Sequence, residues 1–218
     1  MFYLAEKNDH GLPYNPIKAL AAPRPIGWIS TVSPEGVGNL APFSFFNALC
    51  YNPPFIMISA GSREDGARKD TVRNAEETGE LVFNMATWDT RNQMSDTSWI
   101  EDSAVDELAA VGLTPAPSKL VRPVRVAESP VHMECLYHQT VILPGYEPQS
   151  VHHMIIAKVV GVHIADEMIA DGKVDLLKIR PIARLGYMDY TVLEDTFMMK
   201  KHTVEERYTP KPGTQAAE

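Results

Sequence analysis

The sequence predicts a mainly β protein: an antiparallel barrel with a few helices inserted at one place. About eight short strand-like segments are separated by turn residues, and the three helical segments lie together between residues 67 and 112. A doubly wound parallel sheet needs a helix between successive strands, so the pattern disfavours that fold class and favours a closed antiparallel sheet.

The first strands form a hairpin. A strand is predicted at 26–33 and its partner at 37–46, because residues 34–36 are Pro, Glu and Gly, which are typical of a tight turn. A short buried strand follows at 55–60. Residues 1–22 show no periodic pattern and are interpreted as an N-terminal arm.

The helical insertion begins after a polar loop at 61–66. Asp70 or Thr71 is predicted to cap a helix that continues to about Thr78, and Gly79 supplies the residue at which it ends. Further helical segments extend to residue 112.

The second half of the chain returns to β structure. Apolar and polar residues alternate from Val124 onwards, which predicts strands, and the longest of them covers Val151–Ile164. Residues 23–199 are therefore taken as one domain, and the polar, proline-containing segment 200–218 as a C-terminal tail.

Composition excludes several function classes. The chain has 218 residues and a net charge of −8, which disfavours nucleic acid and anionic membranes as partners. No apolar run approaches the roughly 20 residues of a membrane helix, and no signal peptide is evident, so we expect a cytoplasmic protein. Cys50 and Cys135 are predicted to be buried, reduced thiols.

The segment 40–47 combines three phenylalanines with Ser44, Asn47 and a proline. One interpretation is a buried strand whose polar groups satisfy their neighbours. The other is a strand beside a flat ligand such as an isoalloxazine ring, which needs apolar contacts on its faces and hydrogen-bonding groups at its edge.

Hydroxyl and cationic side chains gather before the first long helix. Ser62, Arg63, Lys69 and Thr71 lie near a helix N-terminus, where free amides and the helix dipole favour an anion such as a phosphate. The alternative is a solvated loop with a capped surface helix. The glycines match neither a Walker loop nor a dinucleotide fingerprint.

The histidines give no metal site. His152 and His153 are adjacent on a predicted strand and therefore face opposite sides of the sheet, so they cannot chelate one ion. We assign structural or solvent-facing roles to the histidines on these grounds.

Four segments resemble the flavin reductase-like, FMN-binding split-barrel proteins. They are RPIGWISTVSPEGVGNLAPFSFFNALCYNPP (24–54), KDTVRNAEETGELVFNM (69–85), GLTPAPSKLVRPVRVAESPVHMEC (112–135) and PIARLGYMDY (181–190). The resemblance implies an antiparallel split β-barrel of Greek-key type, a homodimer, and FMN bound close to the subunit interface.

The resemblance also implies site residues. Flavin contacts fall on Ser30, Thr31, Ser44, Phe45, Phe46, Asn47, Ser59, Ala60, Gly61, Ser62 and Arg63. Lys69 and Thr71 belong to the phosphate side, and Arg184 lies near the cofactor. His152 takes the position of a histidine that contacts nicotinamide, although the residues around it, Ser150-Val151 and Ala157-Lys158, depart from the motif of the short-chain reductases.

These observations predict an FMN-dependent oxidoreductase, an NAD(P)H:flavin reductase that uses NADH or NADPH and passes hydride to the flavin. The alternatives are a flavoredoxin-type electron-transfer protein without direct NAD(P)H use and a cofactor-free binding barrel. The expected partners are a second copy of the chain and a monooxygenase or an electron-transfer protein. No resident metal is predicted.

Overall fold

A computed structural model describes residues 1–100 and 102–199. The helices are α1 (Ile17–Leu20), α2 (Asp70–Thr78), α3 (Arg91–Asp96), α4 (Glu107–Ala110) and α5 (Leu176–Ile179), with a 3-10 turn at Asp166–Met168. The strands are β1 (Arg24–Pro25), β2 (Gly27–Val32), β3 (Gly38–Phe43), β4 (Phe46–Tyr51), β5 (Pro54–Gly61), β6 (Glu80–Met85), β7 (Pro115–Ala116), β8 (Arg125–Val126), β9 (Val131–Pro144), β10 (Val151–Ile164), β11 (Ile169–Ala170), β12 (Lys173–Val174), β13 (Ile182–Arg184) and β14 (Tyr190–Val192).

The main sheet has seven antiparallel strands in the order β3-β2-β6-β9-β10-β5-β4. Its two edge strands, β3 and β4, are consecutive in the chain, so the sheet must curl to bring them together. The curl is visible where β3 contacts β5 and where Phe43 and Phe46 are buried in one core cluster. The predicted antiparallel, mainly β class is confirmed.

The predicted single strand at 37–46 is wrong. Phe43 and Phe46 are both buried in one core cluster, although they are three residues apart and would face opposite sides of a continuous strand. The chain therefore leaves β3 after Phe43 and starts β4 at Phe46. Ser44 and Phe45 form the connection, and the face assignments based on one strand fail with it.

The core inside the curled sheet is packed closely around Phe46. Its ring stacks on that of Phe83 with centroids 4.9 Å apart. Gly27 on β2 is in direct contact, since a β-carbon there would lie 2.6 Å from the Phe46 ring. Any larger residue at position 27 would displace this ring, which explains why glycine stands at the start of this buried strand.

Helix α2 ends where the sequence predicted, but the predicted cap is wrong, because the N-cap residue is Lys69 and no side chain caps the helix. It begins at Asp70, and Gly79 follows it with φ of +76°, a conformation that glycine adopts without strain. The longest helix among the described residues is this one, with nine residues, far too few to cross a lipid bilayer.

The first residues are mostly exposed and contain only the short helix α1. Arg24 ties this segment to the barrel, because its guanidinium donates to the Lys18 carbonyl and, over 2.7 Å, to the Ala21 carbonyl. Strand β1 then pairs with β13. The division into arm, domain and tail stays a prediction, and the tail at 200–218 lies outside the described residues.

The prediction of two buried thiols is wrong for one of them. Cys135 is buried in the barrel core, and burial raises the pKa of its thiol, so it stays protonated. Cys50 is exposed, because the outer edge strand β4 has no strand on its far side among the described residues.

A polar cluster is buried where β9 and β10 meet the loop that follows β7. Glu134 accepts from the amides of Lys119 (2.8 Å) and Leu120 (2.6 Å) and also pairs with His163. Burial raises the pKa of Glu134, but these donors more than offset it and hold the pKa below its usual range. The carboxylate therefore fixes the loop to the sheet.

The neighbouring His132 is also buried, and its Nε2 donates to the Val126 carbonyl at 2.8 Å. Burial lowers its pKa from 6.5 to about 4. The folded protein thus keeps His132 neutral at pH values where the unfolded chain protonates it.

We expect the free energy of unfolding to fall by about 2–3 kcal/mol as the pH drops from 6.5 towards 4, because protonation of His132 stabilises the unfolded chain in that range. Denaturant unfolding at several pH values measures this slope. The variant His132→Gln should lose most of it. His138→Gln, an exposed position on the same strand, is the control and should keep it. Equal slopes in all three proteins would contradict the assignment.

Candidate functional site

A cleft of about 490 Å³ opens between β3, the loop after β5 and the first turn of α2. This volume is that of a small-molecule site. Its walls are formed by Asn39, Ala41, Pro42, Phe43, Ser62, Arg63, Glu64, Asp65, Lys69, Asp70, Thr71, Thr97, Ser98, Ile100 and Glu107. We call it the α2 cleft.

The four residues predicted to bind phosphate all line the α2 cleft: Ser62, Arg63, Lys69 and Thr71. Residues 62, 63 and 69 come from the loop and 71 from the helix, so the fold brings the predicted group together. The Arg63 guanidinium is paired with Asp70 and also bonds to Ser103. Lys69 forms no ion pair within the described residues.

Thr71 takes part in a buried hydrogen-bond network that joins α2 to the β2–β3 hairpin. The Asn39 side-chain amide donates to Thr71 Oγ1 at 2.9 Å and to Thr31 Oγ1 at 3.0 Å. Asn74 Nδ2 also donates to Thr31 Oγ1, at 3.2 Å. Because Thr71 Oγ1 accepts from an amide and Thr71 lines the cleft, its hydroxyl can also donate to a ligand there.

Acidic side chains also line the α2 cleft. Asp70 is already paired with Arg63 and Arg73 and accepts from Ser103 Oγ at 2.9 Å. Glu107 is buried and accepts from the Leu40 amide at 2.9 Å. Burial raises the pKa of Glu107, and the hydrogen bond from the Leu40 amide only partly counteracts this rise. The neutral form of the carboxyl group is therefore more favourable in the folded protein than in water.

A second group of predicted residues surrounds His152 on β10. Ser59 Oγ lies 3.3 Å from His152 Nδ1, and the Phe45 ring meets the imidazole edge to face at 6.0 Å. Gly61 is in contact as well, since a β-carbon there would lie 3.4 Å from His152 Nε2. The Arg24 guanidinium stands 5.7 Å from the Phe45 ring centroid. Ser44, in the β3–β4 connection, precedes Phe45.

Other predicted residues have structural partners elsewhere. Ser30 Oγ donates to the Val124 carbonyl at 2.6 Å, Phe46 and Ala60 belong to the core, and Thr31 is buried in the network described above. Asn47 Oδ1 accepts from the neighbouring amide on the exposed edge strand. Arg184 on β13 lies opposite Arg24 in the register and bonds to the Tyr190 hydroxyl.

The polar cleft residues that sequence reasoning missed are Asn39, Glu64, Asp65, Asp70, Thr97, Ser98 and Glu107, and the apolar ones are Ala41, Pro42, Phe43 and Ile100. Asn39 and Asp70 are direct neighbours of predicted segments, so a wider window around them would have included both. Thr97, Ser98 and Glu107 come from the helical insertion. They reach the cleft because α3 and α4 both pack against β3, and the local sequence has no signal for those contacts.

A comparison with known protein families decides what this architecture is. The model of the flavin reductase like domain matches residues 20–188. The chain belongs to the flavin reductase like family.

Relatives of this family support the assignment along the whole domain. An uncharacterized protein of Aquifex aeolicus is 36% identical over 187 residues, which are 85% of this chain and 92% of that protein. The crystal structure of nitrilotriacetate monooxygenase component B from Bacillus cereus superposes with a TM-score of 0.82 and 30% identity, covering 91% of this chain and 98% of that one.

The flavoredoxin of Desulfovibrio vulgaris (Miyazaki F) has the same fold, with a TM-score of 0.71 and 20% identity over 85% of this chain and 94% of that one. The fold is therefore the split barrel of this flavin reductase like family, as the sequence predicted.

Proposed function

We propose that this protein is an FMN-dependent oxidoreductase that takes hydride from NADH or NADPH. The observation that carries the proposal is the convergence of Ser62, Arg63, Lys69 and Thr71 on one cleft at the N-terminus of α2, in a chain of the flavin reductase like family. The composition of the chain favours no particular ligand. These four residues, in contrast, bring hydroxyl and cationic donors to a helix N-terminus, an arrangement that binds anions.

The donors fit a phosphate. The Val72 and Arg73 amides donate to the Lys69 carbonyl, which leaves the Asp70 and Thr71 amides at the start of α2 as donors for a ligand. The Thr71 hydroxyl and the Lys69 ammonium line the same cleft and can also donate to a phosphate. Asp70 does not cancel them, because its carboxylate is already engaged by Arg63 and Arg73. Lys69, Thr71 and the helix amides would hold the phosphate of FMN.

The ring system needs flat contacts and edge hydrogen bonds. The backbone of Ala41, Pro42 and Phe43 lines the α2 cleft, and Phe45 with His152 lies beyond the end of that strand. These groups would orient the flavin and exclude water from one face. Bound FMN supplies two-electron redox chemistry, so the protein itself needs no acid or base for hydride transfer.

The phosphate contact is tested with Lys69→Met. We expect FMN affinity to fall by about 1.5 kcal/mol, a little over tenfold, because a charged hydrogen bond is lost. Riboflavin, which lacks the phosphate, should bind the variant and the wild type equally. Fluorescence titration of the flavin measures both affinities.

The matched control is Arg68→Met, which removes the adjacent cation. Arg68 pairs with Glu76 and does not line the cleft, so FMN affinity should stay within about twofold. An equal loss of FMN and riboflavin in Lys69→Met would place the anion site elsewhere.

The electron donor is tested by steady-state oxidation of NADH and NADPH with FMN-loaded protein. We expect turnover with one or both. The alternative is a flavoredoxin-type carrier, and Ser150-Val151 and Ala157-Lys158 around His152 favour it because they depart from the short-chain reductase motif. Bound FMN without oxidation of either nucleotide would establish that alternative, and a protein that binds no flavin would leave only a binding barrel.

A homodimer is part of the proposal. In β4, Phe46 is buried but the next five residues are exposed, among them Leu49 (50% exposed) and Tyr51 (90% exposed). An apolar edge strand with free backbone groups is a surface that soluble proteins normally cover. The name of the component B neighbour supports a monooxygenase as a further partner for the reduced flavin.

We expect light scattering to give the mass of two chains for the wild type and the mass of one for Leu49→Asp, since a charge in an apolar interface is costly to desolvate. Val174→Asp changes a residue of similar exposure on β12, outside the main sheet, and should leave the mass unchanged. A monomeric wild type would refute the dimer.

A further inference from the structure

A second cleft, of about 410 Å³, lies between α3 and β14. Its apolar floor is formed by Met94 and Ile182, which are 2% and 7% exposed, together with Val192. We call it the α3 cleft. Its volume lies in the range of small-molecule sites, and the α2 cleft shares none of its lining residues.

Two aromatic rings wall the α3 cleft, and each is held by a cation. The Arg91 guanidinium stacks 3.9 Å from the Trp88 ring centroid, and that of Arg184 lies 4.4 Å from the ring of Tyr190. Such contacts fix the ring positions before any ligand arrives. The result is a preformed slot with aromatic sides and an apolar floor, which suits a planar ring.

The polar groups of the α3 cleft are mostly neutral. Asn92, Ser95 and Thr191 can donate and accept, and the lining anion, Glu194, is already paired with Arg180 at 3.4 Å. The lining cation, Arg91, therefore suits a ligand that also carries an anionic group, such as a nucleotide phosphate. A heteroaromatic ring with donors and acceptors on its edge uses both kinds of group, and a side-chain amide pairs with adenine through two such bonds.

The α3 cleft is close to the proposed flavin site. Ser95 in α3 lines the α3 cleft, and Ser98, in the turn that follows α3, lines the α2 cleft. Three residues of chain span at most about 10 Å. A ligand with two linked halves can therefore reach from one cleft to the other along this segment.

We propose that the α3 cleft binds the adenosine half of the pyridine nucleotide, with Asn92 reading the edge of the adenine between Trp88 and Tyr190. This inference rests on the proposed function, because it assigns a place to the hydride donor.

The test uses FMN-loaded protein and 5′-AMP as the probe, with calorimetry as the measurement. We expect AMP to bind the wild type and to bind Asn92→Leu about threefold to tenfold more weakly, as expected for the loss of one or two hydrogen bonds. Gln93→Leu makes the same change at the next position of α3, which does not line the cleft, and should bind AMP like the wild type. Asn92 is exposed, so the variant should fold.

The outcomes separate this inference from the proposed function. Binding of AMP weakened only in Asn92→Leu, with a matching rise in KM for NADH or NADPH and unchanged FMN affinity, supports both. Nucleotide oxidation without AMP binding, or with equal AMP binding in all three proteins, overturns the α3 cleft assignment alone. Selective AMP binding without nucleotide oxidation keeps the adenine site and overturns the proposed function.

Discussion

The side-chain amide of Asn39 is the contact on which the α2 cleft depends. Its two N–H groups reach Thr31 on β2 and Thr71 on α2 at 3.0 and 2.9 Å, so one planar group sets the distance between the hairpin and the helix. All three residues are buried, and removing Asn39 takes away the amide donor of Thr71, while Thr31 keeps the amide of Asn74. The helix N-terminus therefore faces the cleft because this hydrogen-bond network and the packing of Val72 and Ala75 in the core together orient the helix.

The opposite wall of the α2 cleft is held in a similar way. Asp106 caps α4 by accepting from the amides of Leu108 and Ala109, and a β-carbon on Gly38 would lie 2.7 Å from its carboxylate. Glu107 then accepts from the Leu40 amide on β3. A helix of only four residues has little stability of its own, so these contacts with β3 keep it in place.

The sequence predicted those features of the fold and of the site whose signals lie close together in the chain. Ser62, Arg63, Lys69 and Thr71 lie within ten residues, next to a helix whose ends are marked by polar residues and Gly79, so their convergence was predictable. The break between Phe43 and Phe46 was not, because it depends on the sheet curling until its edges meet.

Residues with long-range partners were the least predictable. Ser30 bonds to the Val124 carbonyl 94 positions away, and Cys50 is exposed because its strand is the outer edge of the sheet. The Ser30–Val124 contact and the exposure of Cys50 both depend on how the strands are arranged in the folded sheet. The α3 cleft was missed for the same reason, since it joins α3 to a strand 94 or more residues later in the chain, and no local pattern in either segment indicates that contact.

In a chain with a net charge of −8, four acidic residues line the α2 cleft beside Arg63 and Lys69: Glu64, Asp65, Asp70 and Glu107. Glu64 and Asp65 are exposed to water, which screens their charge, so the two buried acids matter most. Arg63, Arg73 and Ser103 all bond to Asp70, so it acts as the acceptor that orders cations instead of repelling an anion. Burial raises the pKa of Glu107, which lessens its opposition to an anion. The local field of the cleft is thus set by which acids are paired or buried, and the overall charge of the protein does not predict it.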